Sequence, residues 1–439
     1  MMTKAAFVRW VALLLTFGLS SPILAGPNSL VIISPHRKSI QDEYVPAFKE
    51  YYKQKFGTAI EVEWLDQGGT SDDLKFVRSK FGANPQTSGI DIFWGGGATA
   101  FLELEKARLL DSCKLSDAVA REIPTQVSGV ALVSAGKTWY ASALSSFGLF
   151  YNKKIVAMDR LSEPKTWEDV ADPQYLGQLT AADPRHSGTA NTMMSIILQT
   201  YGWDKGWALL TKIAANTRQF TQSSSDPIKA VVAGDVAAAM AIDFYALAKI
   251  GDLGRDNLGF VQPEGHTILD PDPIAILKGA PHRETAERFI DFVLSVPGQR
   301  LLLLPKGAVG GPRLATLGRM AVNPKAYEGP GDILTGLNPF TQKAAMKFDS
   351  VKASALQRVL NDLVGAVHVD VHKNLNAAWK RIIKNGLKEP ALAELTRPPV
   401  TEAEALALTK KWDEPSYRNS VINNWQGAAK ATYKRLSAE

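Results

Sequence analysis

The stretch ADPRHSGTAN, residues 182–191, sets Arg185, His186, Ser187, Gly188 and Thr189 directly before the apolar run Met193 to Leu198. Arginine and histidine donate charge-assisted hydrogen bonds, and a serine or threonine ahead of an apolar run caps a helix. The amides of Ser187, Gly188, Thr189 and Ala190 then point outward at the positive end of that helix, which makes an anion site by geometry alone. The plainer alternative is a simple cap beside a solvated arginine.

Other polar residues stand in comparable places. His36 follows the strand SLVIIS (Ser29–Ser34), Thr70 and Ser71 lie in DQGGTSDD after AIEVEWL, and Gly96 and Gly97 end IDIFWGGG, where missing side chains permit close backbone approach to a ligand. Ser146 lies in LSSFGLFYN, and Asp243 and Tyr245 follow a strand near Ala237 to Ile242. A carboxylate here accepts hydrogen bonds from hydroxyl groups or pairs with ammonium, while hard anionic oxygens suit ferric iron. Asp270 and Asp272 read as turn residues. His368 and His372 in VHVDVHKN share helical i,i+4 spacing without a third ligand nearby, so no metal site and no cofactor is expected. An exported hydrolase is the rival class. The chain has no GxSxG elbow and no HExxH, and His186 beside Ser187 reads as a pair of anion donors rather than as base and nucleophile, so no catalytic residue is assigned.

These residues must be positioned by an alternation of strand and helix patterns, the mark of an α/β protein with mostly parallel sheets. Each strand ends in a polar or glycine-rich loop that opens a helix, where open α/β sheets collect ligands. The 439 residues, 45% hydrophobic and 21% charged, suffice for more than one lobe. Residues 1–25 carry Lys4 and Arg9, an apolar core from Trp10 to Leu19 and the small-residue site SSPILA ending at Ala25, the pattern of a cleaved signal peptide. The expected mature chain is periplasmic and begins at about Gly26. Cys113 stands alone, so no intramolecular disulfide forms. The formal charge of +6 comes without a basic run interleaved with aromatics, which argues against nucleic acid and suits a small anionic ligand.

Several segments together resemble the extracellular solute-binding proteins of ABC importers, in the cluster that binds ferric iron, thiamine or phosphorylated compounds. They are VIISPHRKS, IDIFWGGG, FGLFYNKK, PKTWEDVADPQYLGQLTAADP, VVAGDVAAAMAIDFYA and PDPIAILKGAPHRETAERFIDFVLSVPGQRLL, covering about residues 30–312. The resemblance implies a two-lobed α/β fold of the type II periplasmic-binding-protein class, with the chain crossing between lobes near 141–147 and 267–273. Lobe 1 comprises 28–143 and 268–320, lobe 2 comprises 144–267, and 321–439 forms a helical C-terminal extension packing on lobe 1. It implies a membrane permease as partner, a monomer, and a ligand trapped by hinge closure. Iron-binding relatives place adjacent tyrosines where this chain has Phe244 and Tyr245, and some place a metal ligand at the position of His36. One phenolate is therefore missing, and a phosphorylated organic ligand is expected ahead of ferric iron.

Overall fold

The computed structural model describes residues 28–329, 331, 333, 336–341 and 346–438; the expected signal peptide lies outside them. Three strands rich in β-branched and aromatic residues open the first lobe: β1 (Ser29–Ile33), β2 (Glu61–Leu65) and β3 (Ile92–Trp94). β2 and β3 pair in parallel with β1 on its two sides. Leu30, Ile32, Ile33, Ile92 and Phe93 are fully buried, as parallel strands covered by helices on both faces must be. At its carboxyl end each strand runs into a helix: Lys38–Phe56, Thr70–Ala83 and Ala98–Lys106. Short strands β4 (Leu110–Asp111), β5 (Gln126–Val127) and β6 (Val130–Ala131) complete this lobe.

β7 (Tyr140–Asn152) serves both lobes. The second lobe adds β8 (Leu179–Ala182), β9 (Thr217–Thr221), β10 (Ala238–Ile242) and β11 (Leu258–Val261), and β12 (Leu269–Leu277) returns to the first. β12 pairs antiparallel with β7 over Tyr140–Ser146, whereas β10 pairs with its remainder from Phe147 to Tyr151. β8 runs parallel to β10 and to β9, and these three strands lead into the helices Gly188–Tyr201, Asp226–Ala233 and Asp243–Leu253.

Register fixes where the helix starts point. β3 ends at Trp94 opposite Ile274, on the crossing side of β12, and β10 ends at Ile242 opposite Phe147, at the middle of β7. The strand ends of both lobes therefore face the same crossing from opposite sides. Helix N-termini from both halves converge on the cleft between them.

The C-terminal extension corrects the sequence expectation, because it packs on the second lobe and not on the first. Leu356, Val359, Leu360, Leu363, Trp412 and Trp425 join one cluster with Phe147, Met193, Trp207 and Leu210. Leu375, Trp379, Ile382, Tyr433 and Leu436 close another with Ala214 and Ala215. The helices Gly188–Tyr201 and Trp203–Asn216 are apolar over more surface than their own sheet covers, and the amphipathic helices Ser350–Val364, His372–Lys384 and Pro415–Ala438 bury the remainder. The chain reaches them by a third passage through the hinge: Leu144 forms a bridge with Met320, and Met346 N donates to Thr267 O at 3.1 Å. Buried Asp362 ties the extension together, accepting from Trp412 Nε1 at 2.8 Å and from Arg418 Nε and Nη2 at 2.7 and 2.9 Å.

Candidate functional site

On the first lobe, the loop after β1 turns His36 inward against the edge of Trp94, with ring centroids 5.1 Å apart. His36 Nε2 lies 2.6 Å from Asp272 Oδ2, and Arg319 Nη1 donates to the same oxygen at 2.5 Å. Burial alone would raise the Asp272 carboxyl, but His36 and Arg319 beside it hold it well below the usual carboxylate range. Burial pulls the His36 imidazole down against the pull of Asp272, and its buried Nδ1 has no hydrogen-bond partner among the described residues.

Gly95, Gly96 and Gly97 all have positive φ, at +89°, +92° and +81°. A Cβ on Gly95 would lie 2.5 Å from the His36 ring, and one on Gly96 would lie 2.5 Å from Thr70 Oγ1. The glycines are thus required by the turn and by the packing of His36 and Thr70 over it. Ser71 is exposed beside Thr70 on the first turn of the same helix.

On the second lobe, Ser187 caps the helix Gly188–Tyr201, its Oγ accepting from Ala190 N at 3.1 Å. Among the described residues, the amides of Gly188 and Thr189 have no protein acceptor. Gly188 and His186 are exposed and Thr189 is half-buried. Because β8 and β10 are parallel neighbours, this helix start lies at the same sheet edge as Asp243, and the serine-rich loop after β9 closes that edge on the far side.

Three expected ligand contacts, Arg185, Asp243 and Ser146, already have protein partners. Arg185 is already engaged: Asp183 accepts from its Nε at 3.1 Å and Nη2 at 2.7 Å, and Asp370 of the extension accepts from Nη2 at 2.9 Å and Nη1 at 3.2 Å. These two carboxylates hold the guanidinium well above its usual range. Asp243 is 0% exposed, its Oδ2 accepting from the N and Oγ of Ser146, both at 2.9 Å, and its Oδ1 from Phe244 N at 2.7 Å. Burial pushes it up to about 7 against those bonds. Ser146 and Asp243 are therefore bonded to each other at the hinge, and Ser146 Oγ also accepts from Gln262 Nε2. The paired histidines are structural: His368 is buried, stacked on Trp207 with Nε2 3.0 Å from Thr211 Oγ1, while His372 Nε2 meets Ala214 O at 3.2 Å.

Sequence reasoning overlooked Arg37 and Arg319 and set Asp270 aside as a turn residue. The Arg37 guanidinium, from the first lobe, lies 4.3 Å from the Tyr245 ring centroid on the second, and Arg319 lies 4.2 Å from that of Phe244, so both arginines bridge the cleft by cation–π contact. Arg319 is neutralised by Asp272. Arg37 has no carboxylate partner among the described residues, although it caps a helix whose first residue is Lys38 and whose positive end disfavours further positive charge. Asp270 is half-buried, has no hydrogen-bond partner among the described residues, and reaches 3.7 Å from where a Cβ on Gly97 would stand. Burial and the neighbouring Asp272 push its carboxyl up to about 7. The adjacency of Arg37 to His36 in PHRKS was a usable signal. Arg319 had none, because only the third hinge passage brings it to the cleft.

Residues 100–304 match the family of bacterial extracellular solute-binding proteins. The match takes in the chain from the helix Ala98–Lys106 to the last turn of the helix Val296–Leu303. The chain is 29% identical over 333 residues to the phosphoglycerate transport regulatory protein PgtC of Salmonella typhimurium, spanning 74% of this chain and 76% of the relative. Among solved structures, it resembles the periplasmic binding protein AfuA of Actinobacillus pleuropneumoniae with fructose-6-phosphate bound, at a TM-score of 0.54 and 22% identity over 81% of this chain and 98% of that one. It also resembles the apo ferric ion-binding protein A of Pasteurella haemolytica, at a TM-score of 0.57 and 16% identity over 77% and 96% of the two chains. The fold is that of the type II periplasmic binding proteins, and the function is solute binding for an ABC importer, outside the cytoplasm.

Proposed function

We propose that the solute is a phosphorylated organic anion carrying hydroxyl or amino groups, captured by closure of the two lobes. One observation carries this reading: most of the cleft's charged groups are paired internally, while the Gly188 and Thr189 amides and the Asp270 carboxylate have no hydrogen-bond partner, and the Arg37 guanidinium no carboxylate partner, among the described residues. Two of these take up negative charge or oxygen acceptors, and the third accepts hydrogen bonds from a hydroxyl or pairs with ammonium. A phosphoester or phosphonate with polar substituents has both ends. Similarity to proteins named for phosphoglycerate and fructose-6-phosphate supports the same ligand class. Ferric iron fits less well, because His36 Nε2 is held by Asp272, Asp243 is enclosed by Ser146 and Phe244, and one face of Tyr245 is covered by Arg37.

In this reading the protein is a monomer, is exported with loss of residues 1–25, and delivers its ligand to a membrane permease. Calorimetry tests the ligand class. One of 3-phosphoglycerate, fructose-6-phosphate and 2-aminoethylphosphonate should bind at least about a hundredfold tighter than glycerate or fructose, since each buried donor left without an acceptor costs about 1 to 3 kcal/mol. Tight ferric ion binding with a visible phenolate absorption band, and no binding of the phosphorylated panel, would overturn the proposal in favour of iron.

A further inference from the structure

We propose that the C-terminal extension fixes the geometry of the ligand loop 183–188 through one carboxylate, so that Asp370 is a positioning residue acting through Arg185. This rests on the reading that the Gly188 and Thr189 amides meet the ligand.

Within the second lobe the loop is held at its ends, where Asp183 N donates to Thr221 O at 2.9 Å and Ser187 O accepts from Asn191 N at 3.1 Å, while its tip is open. A Cβ added to Gly188 would meet nothing within 4 Å, and His186 is exposed. Arg185 adds a restraint on the tip from outside the lobe. From the loop side, Asp183 accepts from the Arg185 backbone N at 2.9 Å as well as from its guanidinium. From the extension side, Asp370 accepts from Nη1 and Nη2, two parallel bonds that fix direction as well as distance. Asp370 is itself steadied by Gln426 Nε2 at 3.4 Å, from the last helix of the chain.

The local backbone is shaped for this contact. Asp370 immediately follows a π-helical turn, Gly365–Val369, between the helices Ser350–Val364 and His372–Lys384. Gly365 is helical, with φ −52° and ψ −53°, so backbone freedom does not require glycine there. A Cβ at that position would instead stand 2.7 Å from Arg185 Cδ and Nε. The bare surface at Gly365 lets the arginine lie flat on the extension and reach Asp370, and π-turns inserted into helices recur at such functional contacts. The extension also grips the loop's other flank, where Asn191 Nδ2 donates to Asn361 Oδ1 at 2.7 Å. A loop ordered before the ligand arrives spares the binding step that ordering cost. Arg185 spends its charge on this restraint and leaves the ligand to the amides.

The test compares Asp370→Ala, Asp370→Glu and Gly365→Ala in the full-length protein by two readouts: amide hydrogen exchange of the ligand-free segment 183–191, and affinity for 3-phosphoglycerate. Asp370→Ala should speed exchange in that segment about three- to tenfold and weaken 3-phosphoglycerate binding by a similar factor. Gly365→Ala should reproduce both by displacing Arg185, and Asp370→Glu should restore both, which a loss of general stability would not do. Unchanged exchange in Asp370→Ala and Gly365→Ala overturns the proposal. So does faster exchange with unaltered affinity, and so does tighter binding, which would make Arg185 a masked ligand donor. If the wild-type protein does not bind 3-phosphoglycerate, the phosphorylated-ligand reading loses that support while the exchange readout still decides whether Asp370 holds the loop.

Discussion

Asp270 and Arg37 show how single side chains set binding against stability in this cleft. Asp270 has a folded pKa raised to about 7 by burial and by Asp272, above its unfolded value. It therefore weakens the folded state increasingly as pH rises from about 4 through 7, and adds nothing below the unfolded pKa. Asp270→Asn should raise stability by about 1 kcal/mol at pH 8, with the gain shrinking to zero near pH 4, when unfolding is followed in urea across that range. The same substitution should weaken binding of fructose-6-phosphate more than that of inorganic phosphate, which offers no ring hydroxyls. Arg37→Gln should cost any phosphorylated ligand about 10- to 100-fold in calorimetric affinity, because a charge-assisted contact contributes about 1.5 to 3 kcal/mol. A binding constant unchanged in Arg37→Gln would remove this residue from the site.

The helix Gly188–Tyr201 permits a test that separates an amide from its surroundings. Gly188 is the first helical residue, its capping neighbour Ser187 sits at φ −136° and ψ 108°, and the space around a Cβ at Gly188 is open. Proline favours the first helical position and tolerates an extended residue before it, so Gly188→Pro removes one N–H while leaving the helix intact. The variant should melt within about 2 °C of the wild type yet lose about 1 to 3 kcal/mol of affinity for its phosphorylated ligand. Ser187→Ala should show the reverse balance, costing about 1 kcal/mol of stability through the lost cap. Thermal melts paired with titrations of both variants check the two together.

At the scale of the whole molecule, the cation–π contacts of Arg37 with Tyr245 and of Arg319 with Phe244 span the cleft, so the described arrangement has its lobes drawn together. A ligand closes such a hinge only by binding the closed state more tightly than the open one. Solution scattering should therefore show a smaller radius of gyration with the bound phosphorylated ligand than without it, and the difference should shrink in Arg37→Gln. The extension is integral to the second lobe. Asp362→Ala would leave the Arg418 guanidinium and Trp412 Nε1 without their acceptor and should destabilise the protein by about 2 kcal/mol, measured by urea unfolding.

Local pattern made the α/β fold, the loops at strand ends and the helix opening at Gly188 legible in the sequence, because each depends on neighbours within a few residues: apolar periodicity, glycine before a helix, serine at a cap. The sequence also carried the resemblance to solute-binding proteins, through segments spread along about residues 30–312. Partner choice was decided only by tertiary structure. Arg185 and Asp370 are far apart in the chain, as are Asp243 and Ser146, and whether a charged residue faces a ligand or a neighbouring side chain depends on which distant element packs against it. The extension's helices were readable from their amphipathic spacing, but that spacing gives an apolar face and not its address. The second lobe claimed them because its helices had apolar surface left uncovered, and that packing is what carried Asp370 to Arg185 in the loop before the helix Gly188–Tyr201.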